Sequence, residues 1–126
     1  MRQVLAARGA TGAALESNSK QMAAPMMRSL LAYDPAPDLG AITVPVLAVV
    51  GTKDLQVPAA VNIPALRAAL SQNPKAEVVE APGLNHLLQP AQTGQPAEYG
   101  SISTTIDPAM LAKIGDFVAA AVQGAP

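Results

Sequence analysis

Residues 44–61 read VPVLAVVGTKDLQVPAAV, and the fold turns on how this stretch is read. Val44 to Val50 is an apolar, largely β-branched run closed by Gly51, the pattern of a parallel strand buried on both faces. Lys53 and Asp54 follow at its end, and Pro58 turns the chain into an alanine-rich segment. A parallel strand needs a crossover and a partner, and the next residues supply both. Residues 61–74, VNIPALRAALSQNP, have apolar side chains at helical spacing (Ile63, Leu66, Ala69, Leu70) and a polar-Pro stop. Residues 75–83, KAEVVEAPG, read as a second short strand that ends in Pro82 and Gly83.

Outward from this core, a long polar loop over residues 84–103 leads to DPAMLAKIGDFVAAAVQG, residues 107–124. Asp107 is placed as an N-cap, Pro108 as the first helical residue and Gly124 near the stop. On the other side, residues 1–9 and 20–33 read as two helical pieces, with Met22, Met26, Met27, Leu30 and Leu31 at helical spacing and Pro25 near a helix start. The methionines are expected to pack in a core. Residues 33–42, YDPAPDLGAI, break the helix, because two prolines favour extended or turn geometry in the residues before them. Asp34 and Asp38 beside them are read as turn formers. Strand, helix, strand, loop, helix is the alternation of an α/β sheet. Two strands are fewer than a sheet usually has, and a parallel pair leaves both edges open, so the chain reads as a piece of a larger α/β fold.

Composition narrows the function classes. The 126 residues are 50% hydrophobic but only 2% aromatic, so the core must be built from Ala, Val, Leu, Ile and Met. A formal charge of -1 with 13% charged residues gives no basic field, and nucleic acid is not an expected partner. No run approaches the ~18 to 20 apolar residues that cross a bilayer. The first twenty residues are interrupted by Arg8, Gly9 and Gly12, unlike a secretory signal, and the compartment stays open. With no cysteine and one histidine, neither thiolate chemistry nor a zinc site is expected, and no cofactor is implied.

Ligands of open α/β sheets collect beyond the carboxyl ends of the strands. Asp54 lies at one such end and His86, the chain's only histidine, lies in the loop after the next. Taken singly, Asp54 is explained as a turn residue that satisfies nearby backbone, and His86 as an ordinary loop histidine. Taken together on neighbouring parallel strands, the two loops lie side by side. A carboxylate on one imidazole nitrogen then fixes the tautomer and leaves the other nitrogen to accept a proton from a nucleophile. Glu98 and Tyr99 are read as surface loop, and Asn85 as either orienting its neighbour or serving the turn.

The segments PVLAVVGTKDLQVP (residues 45–58) and PGLNH (residues 82–86) resemble the acid and histidine loops of the α/β-hydrolase superfamily, whose triad runs Ser, Asp or Glu, then His along the chain. More closely, residues 30–58, 81–102 and 105–118 resemble the C-terminal portion of bacterial serine hydrolases of the carboxylesterase or serine-aminopeptidase-like kind, over roughly residues 20 to 122. The resemblance implies Asp54 as triad acid and His86 as triad base. It implies a cap-like helical segment over residues 1–33, and over residues 34–126 the C-terminal part of a hydrolase domain. A small ester or acyl compound is the implied substrate of the complete enzyme.

One departure is large. That family's nucleophile lies in a G-x-S-x-G elbow, and none of Ser17, Ser19, Ser29, Ser71, Ser101 or Ser103 is so flanked. The nucleophile precedes the acid and base in that family, so the chain is expected to begin after it and to be inactive alone. The alternative is a non-catalytic hydrolase-like module that binds a partner or self-associates through its open sheet edge.

Overall fold

The computed structural model describes residues 24–124, together with residues 12, 13, 16, 17 and 20. The helix expected over residues 1–9 and the position of Met22 lie outside the described residues. The chain divides into two compact units, residues 1–35 and 36–126.

In the first unit, α1 (Pro25–Ala32) starts on a proline, whose missing N–H is no loss in the first turn. It ends at Tyr33, whose backbone is extended and whose N–H donates to the Ser29 oxygen. No residue of α1 is buried and Met26 is largely exposed, so the expected core role of this methionine is not met.

The second unit is mixed α/β. It opens with a short helix, α2 (Ala36–Gly40), within the stretch expected to be extended or turn. The helix before Pro35 and Pro37 ends as predicted, but the chain then closes a single helical turn, with Ala41 N–H donating to the Pro37 and Asp38 oxygens. Then come β1 (Val46–Gly51), α3 (Ala59–Ala69), β2 (Ala76–Ala81), a 3-10 turn (Pro96–Ser101) and α4 (Pro108–Gln123).

β1 and β2 form a two-stranded parallel sheet in which Val46 pairs with Ala76 and Gly51 with Ala81. Strand alternation sorts the side chains onto two faces. Val50 and Val78 share one face with Ala59, Ile63 and Leu66 of α3. Val49, Val79 and Ala81 share the other with Met110 and Ile114 of α4, joined by Leu84 and Leu88. The result is helix, sheet, helix in three layers. Among the described residues the buried hydrophobics are Val50, Ala59, Ile63, Leu70, Ala81, Leu84 and Met110, all of the residue types the composition called for.

β1 is less buried than its sequence suggests. Val46 to Val49 are only half-buried, and full burial begins at Val50. An unbroken apolar run specifies a strand covered on both faces and both edges, whereas two strands and two helices enclose only its carboxyl end. From that end leave the loops that carry Asp54 and His86. At the opposite end the entry to β2 is tied down by Asn73, whose Nδ2 donates to the oxygens of Ile42 and Val44 at 3.0 and 2.9 Å. α4 is capped as its sequence predicts, with Asp107 Oδ1 accepting from Met110 N–H at 3.0 Å.

Candidate active site

β1 and β2 end in register, and their exits are laced together by backbone. Thr52 N–H donates to the Ala81 oxygen and Lys53 N–H to the Leu84 oxygen, each at 2.9 Å. In return Gly83 N–H donates to Thr52 Oγ1 at 2.8 Å. Gly51 is needed at this junction: a Cβ there would stand 2.1 Å from the Leu84 oxygen. The loop after β1 and the loop after β2 are therefore one unit.

Asp54 closes a turn by donating its N–H to the Gly51 oxygen at 3.0 Å. Its carboxylate then divides its work. Oδ1 accepts from the N–H groups of Gln56 and Val57, both at 2.8 Å. Oδ2 faces His86 Nδ1 at 2.9 Å. Asp54 thus serves the turn with one oxygen and faces the imidazole with the other.

Asp54 is only 7% exposed. Burial by itself pushes its carboxyl up, but the Val57 N–H, the His86 ring and the Gln56 N–H together outweigh it and hold the group below its ordinary value. An ionised carboxylate can only accept, so the shared proton sits on Nδ1 of His86 when the ring is neutral. Nε2 is then left with its lone pair and makes no hydrogen bond among the described residues. The His86 side chain is 37% exposed.

The loop that presents His86 is built around Asn85, which is 0% exposed. Asn85 Oδ1 accepts from Leu87 N–H at 2.9 Å and Gln89 N–H at 3.0 Å, while Nδ2 donates to Gln89 Oε1 at 3.0 Å. Gln89 Nε2 passes the chain of bonds on to the Thr104 oxygen at 3.0 Å. Leu84 and Pro90 bridge across the loop, and Leu88 accepts a left-handed backbone at φ 57° to close it. The side chain of Leu88 packs beside Ala81, Leu84 and Met110, which helps hold that conformation.

No protein-family model, curated protein or solved structure matches the chain. The site is read from its own geometry, in which the two sequence-predicted residues, Asp54 and His86, meet as an acid–imidazole pair at the carboxyl ends of adjacent parallel strands. Among the described residues no three His, Cys, Asp or Glu side chains converge to hold a metal ion. No described helix is long and apolar enough to cross a membrane.

The residues around the pair were less visible in the sequence. Asn85 turns out to be the buried centre of the histidine loop. Gln56, beyond its backbone bond to Asp54, donates Nε2 to Tyr99 Oη at 3.1 Å. Glu98, read as surface loop, is exposed but gathers the N–H groups of Gln92, Thr93 and Gly94 and the Thr93 hydroxyl onto one carboxylate. The only sequence cues to these contacts were Asn beside the single His and Gly94 within a Gln- and Pro-rich loop, and neither is specific.

Proposed function

We propose that Asp54 and His86 are the acid and base of a serine-hydrolase triad acting on carboxylic esters, on the C-terminal part of an α/β-hydrolase fold. The observation that carries this reading is the 2.9 Å contact from His86 Nδ1 to Asp54 Oδ2, with Nε2 left unbonded among the described residues at the open end of the sheet. In this reaction a serine Oγ attacks the ester carbonyl as His86 Nε2 takes its proton. Asp54 stabilises the imidazolium, which then gives that proton to the departing alkoxide. Water repeats the sequence on the acyl-enzyme, with His86 again as base. The 126 residues hold no serine in a G-x-S-x-G setting, so the nucleophile is supplied from outside this sequence.

The chain by itself is accordingly expected to resist labelling by a fluorophosphonate probe. Joined to a polypeptide that provides the elbow, it should turn over an activated ester, with His86→Ala and Asp54→Asn each slowing kcat by about 10³- to 10⁴-fold. Near-normal rates in either variant would remove that residue from the triad. Labelling of the chain alone, abolished by changing one of its serines, would overturn the need for an outside nucleophile.

The open sheet favours a second reading. Among the described residues β1 and β2 pair only with each other, and unpaired strand edges seek cover. In this reading the chain is a non-catalytic module that self-associates along a strand edge. A discrete dimer in sedimentation, with slow amide exchange along the outer edge of β1, would support it; a monomer with fast exchange there would rule it out.

A further inference from the structure

The loop over residues 91–101 does not simply pass over the surface. The Glu98 carboxylate draws in the N–H of Gln92 at 2.5 Å, of Thr93 at 2.9 Å and of Gly94 at 3.0 Å, together with the Thr93 hydroxyl. Four donors on one side chain fold the loop into a compact knot. The knot is seated on the acid loop at two points. Gly94 is buried with φ 75°, and a Cβ on it would lie 1.9 Å from the Lys53 oxygen, the peptide oxygen just before Asp54. Tyr99 Oη, one residue beyond Glu98, accepts from Gln56 Nε2 at 3.1 Å. Gln56 is also one of the two backbone donors to Asp54 Oδ1.

We propose that Glu98 is a positioning residue for the Asp54–His86 pair: it ties residues 92–99 into a strap that packs on the acid loop at Lys53 through Gly94, bonds Gln56 through Tyr99, and so aims Asp54 Oδ2 at His86 Nδ1. The proposal rests on the reading of Asp54 and His86 as an acid–base pair. Residues 52–57 have no regular secondary structure, and their shape is held by single bonds from several directions. The Leu84 oxygen holds the Lys53 N–H and the Gly51 oxygen holds the Asp54 N–H. The strap packs Gly94 against the Lys53 carbonyl and bonds the Gln56 side chain through Tyr99. Glu98 does not touch the imidazole, so its effect reaches His86 only through Asp54. The Thr93 hydroxyl and the gathered N–H groups keep the Glu98 carboxyl down at about 2, so the knot stays ionised and tied at neutral pH.

Glu98→Gln tests this in the intact chain. An amide has one acceptor oxygen in place of two and turns an NH₂ toward backbone donors, so it cannot hold all four groups. Two nuclear magnetic resonance readouts separate the links. Amide exchange at Gln56 and Val57 reports on the acid loop, and E98Q is expected to speed it by about tenfold. The ¹⁵N shifts of the His86 ring report the tautomer, and E98Q is expected to raise the Nε2–H form at least about threefold. Asp107→Ala, which weakens α4 by removing its cap, is the control and should move neither.

Unchanged exchange and tautomer in folded E98Q would overturn the strap, as would equal changes in D107A. Should E98Q lose its cooperative unfolding transition, Tyr99→Phe carries the same test by deleting one hydroxyl. Faster exchange at Gln56 and Val57 with a shifted tautomer is then expected, and no change in either overturns the strap. A wild-type ring lacking the Nδ1–H tautomer would sink the acid–base pair itself, while the Gln56 and Val57 exchange still decides whether Glu98 holds the acid loop.

Discussion

Gly51 and Leu84 touch through backbone: a Cβ on Gly51 would come within 2.1 Å of the Leu84 oxygen and 2.7 Å of its carbonyl carbon. That oxygen is already committed to the Lys53 N–H. The two loops of the site are thereby spaced by a peptide-to-peptide contact that no flexible side chain can relax. Gly51→Ala should therefore cost at least about 2 kcal/mol, because the Leu84 peptide must shift and pull on the Lys53 bond. Urea denaturation measures this, and a loss below a few tenths of a kcal/mol would show that the loops can part freely.

Asn85 gives the second prediction. Its Oδ1, itself buried, is the acceptor for the part-buried Leu87 N–H and the buried Gln89 N–H. Asn85→Ala leaves both donors without that acceptor and should cost about 2 to 3 kcal/mol. Asn85→Asp restores the acceptor but places a carboxylate against Gln89 Oε1, which now takes a 3.0 Å bond from Nδ2. Aspartate should consequently fail to rescue the alanine variant at neutral pH. Full recovery by aspartate would mean that Gln89 turns freely, against its bond to the Thr104 oxygen.

These two positions show where the sequence was legible and where it was not. β1, β2 and α4 could be read from patterns that are local: an apolar run closed by glycine, a short β-branched run, and an Asp-Pro start. Asp54 and His86 could be paired because strand order and chain order already place their loops side by side. The half-burial of β1 could not be read, since it depends on how many strands and helices surround it. Nor could Asn85 or Glu98, whose importance lies in which backbone N–H groups converge on them. That convergence is set by loop conformation, including a left-handed Leu88 that no propensity favours.

The cap of α4 offers a simpler test. Asp107 Oδ1 satisfies the Met110 N–H at 3.0 Å, and Met110 is the buried anchor of that helix on the sheet. Asp107→Ala should lower stability by about 1 kcal/mol, and Asp107→Ser should recover most of it. A loss equally large in the serine variant would assign the effect to something other than the cap.

Acid should expose the Asp54 carboxylate through its linkage to folding. Val57, His86 and Gln56 hold its folded pKa below the unfolded value of about 3.9. A depressed carboxyl contributes stability that is complete above the unfolded pKa. As the pH falls, the unfolded chain takes up the proton first, so the contribution drains until the folded carboxyl is protonated as well. Asp54→Asn, which weakens the bonds to Gln56, Val57 and His86, should cost about 1 to 3 kcal/mol at pH 7, and its gap from wild type should close as pH falls from about 4. Glu98 acts in the same direction over a window set by its shift from an ordinary 4.5 to about 2, so E98Q should flatten the acid limb across that window. Urea midpoints taken from pH 7 to pH 2 separate the two. If wild type and D54N lose stability in parallel through the whole range, Asp54 is not held ionised by its neighbours, and the acid half of the site loses its electrostatic basis.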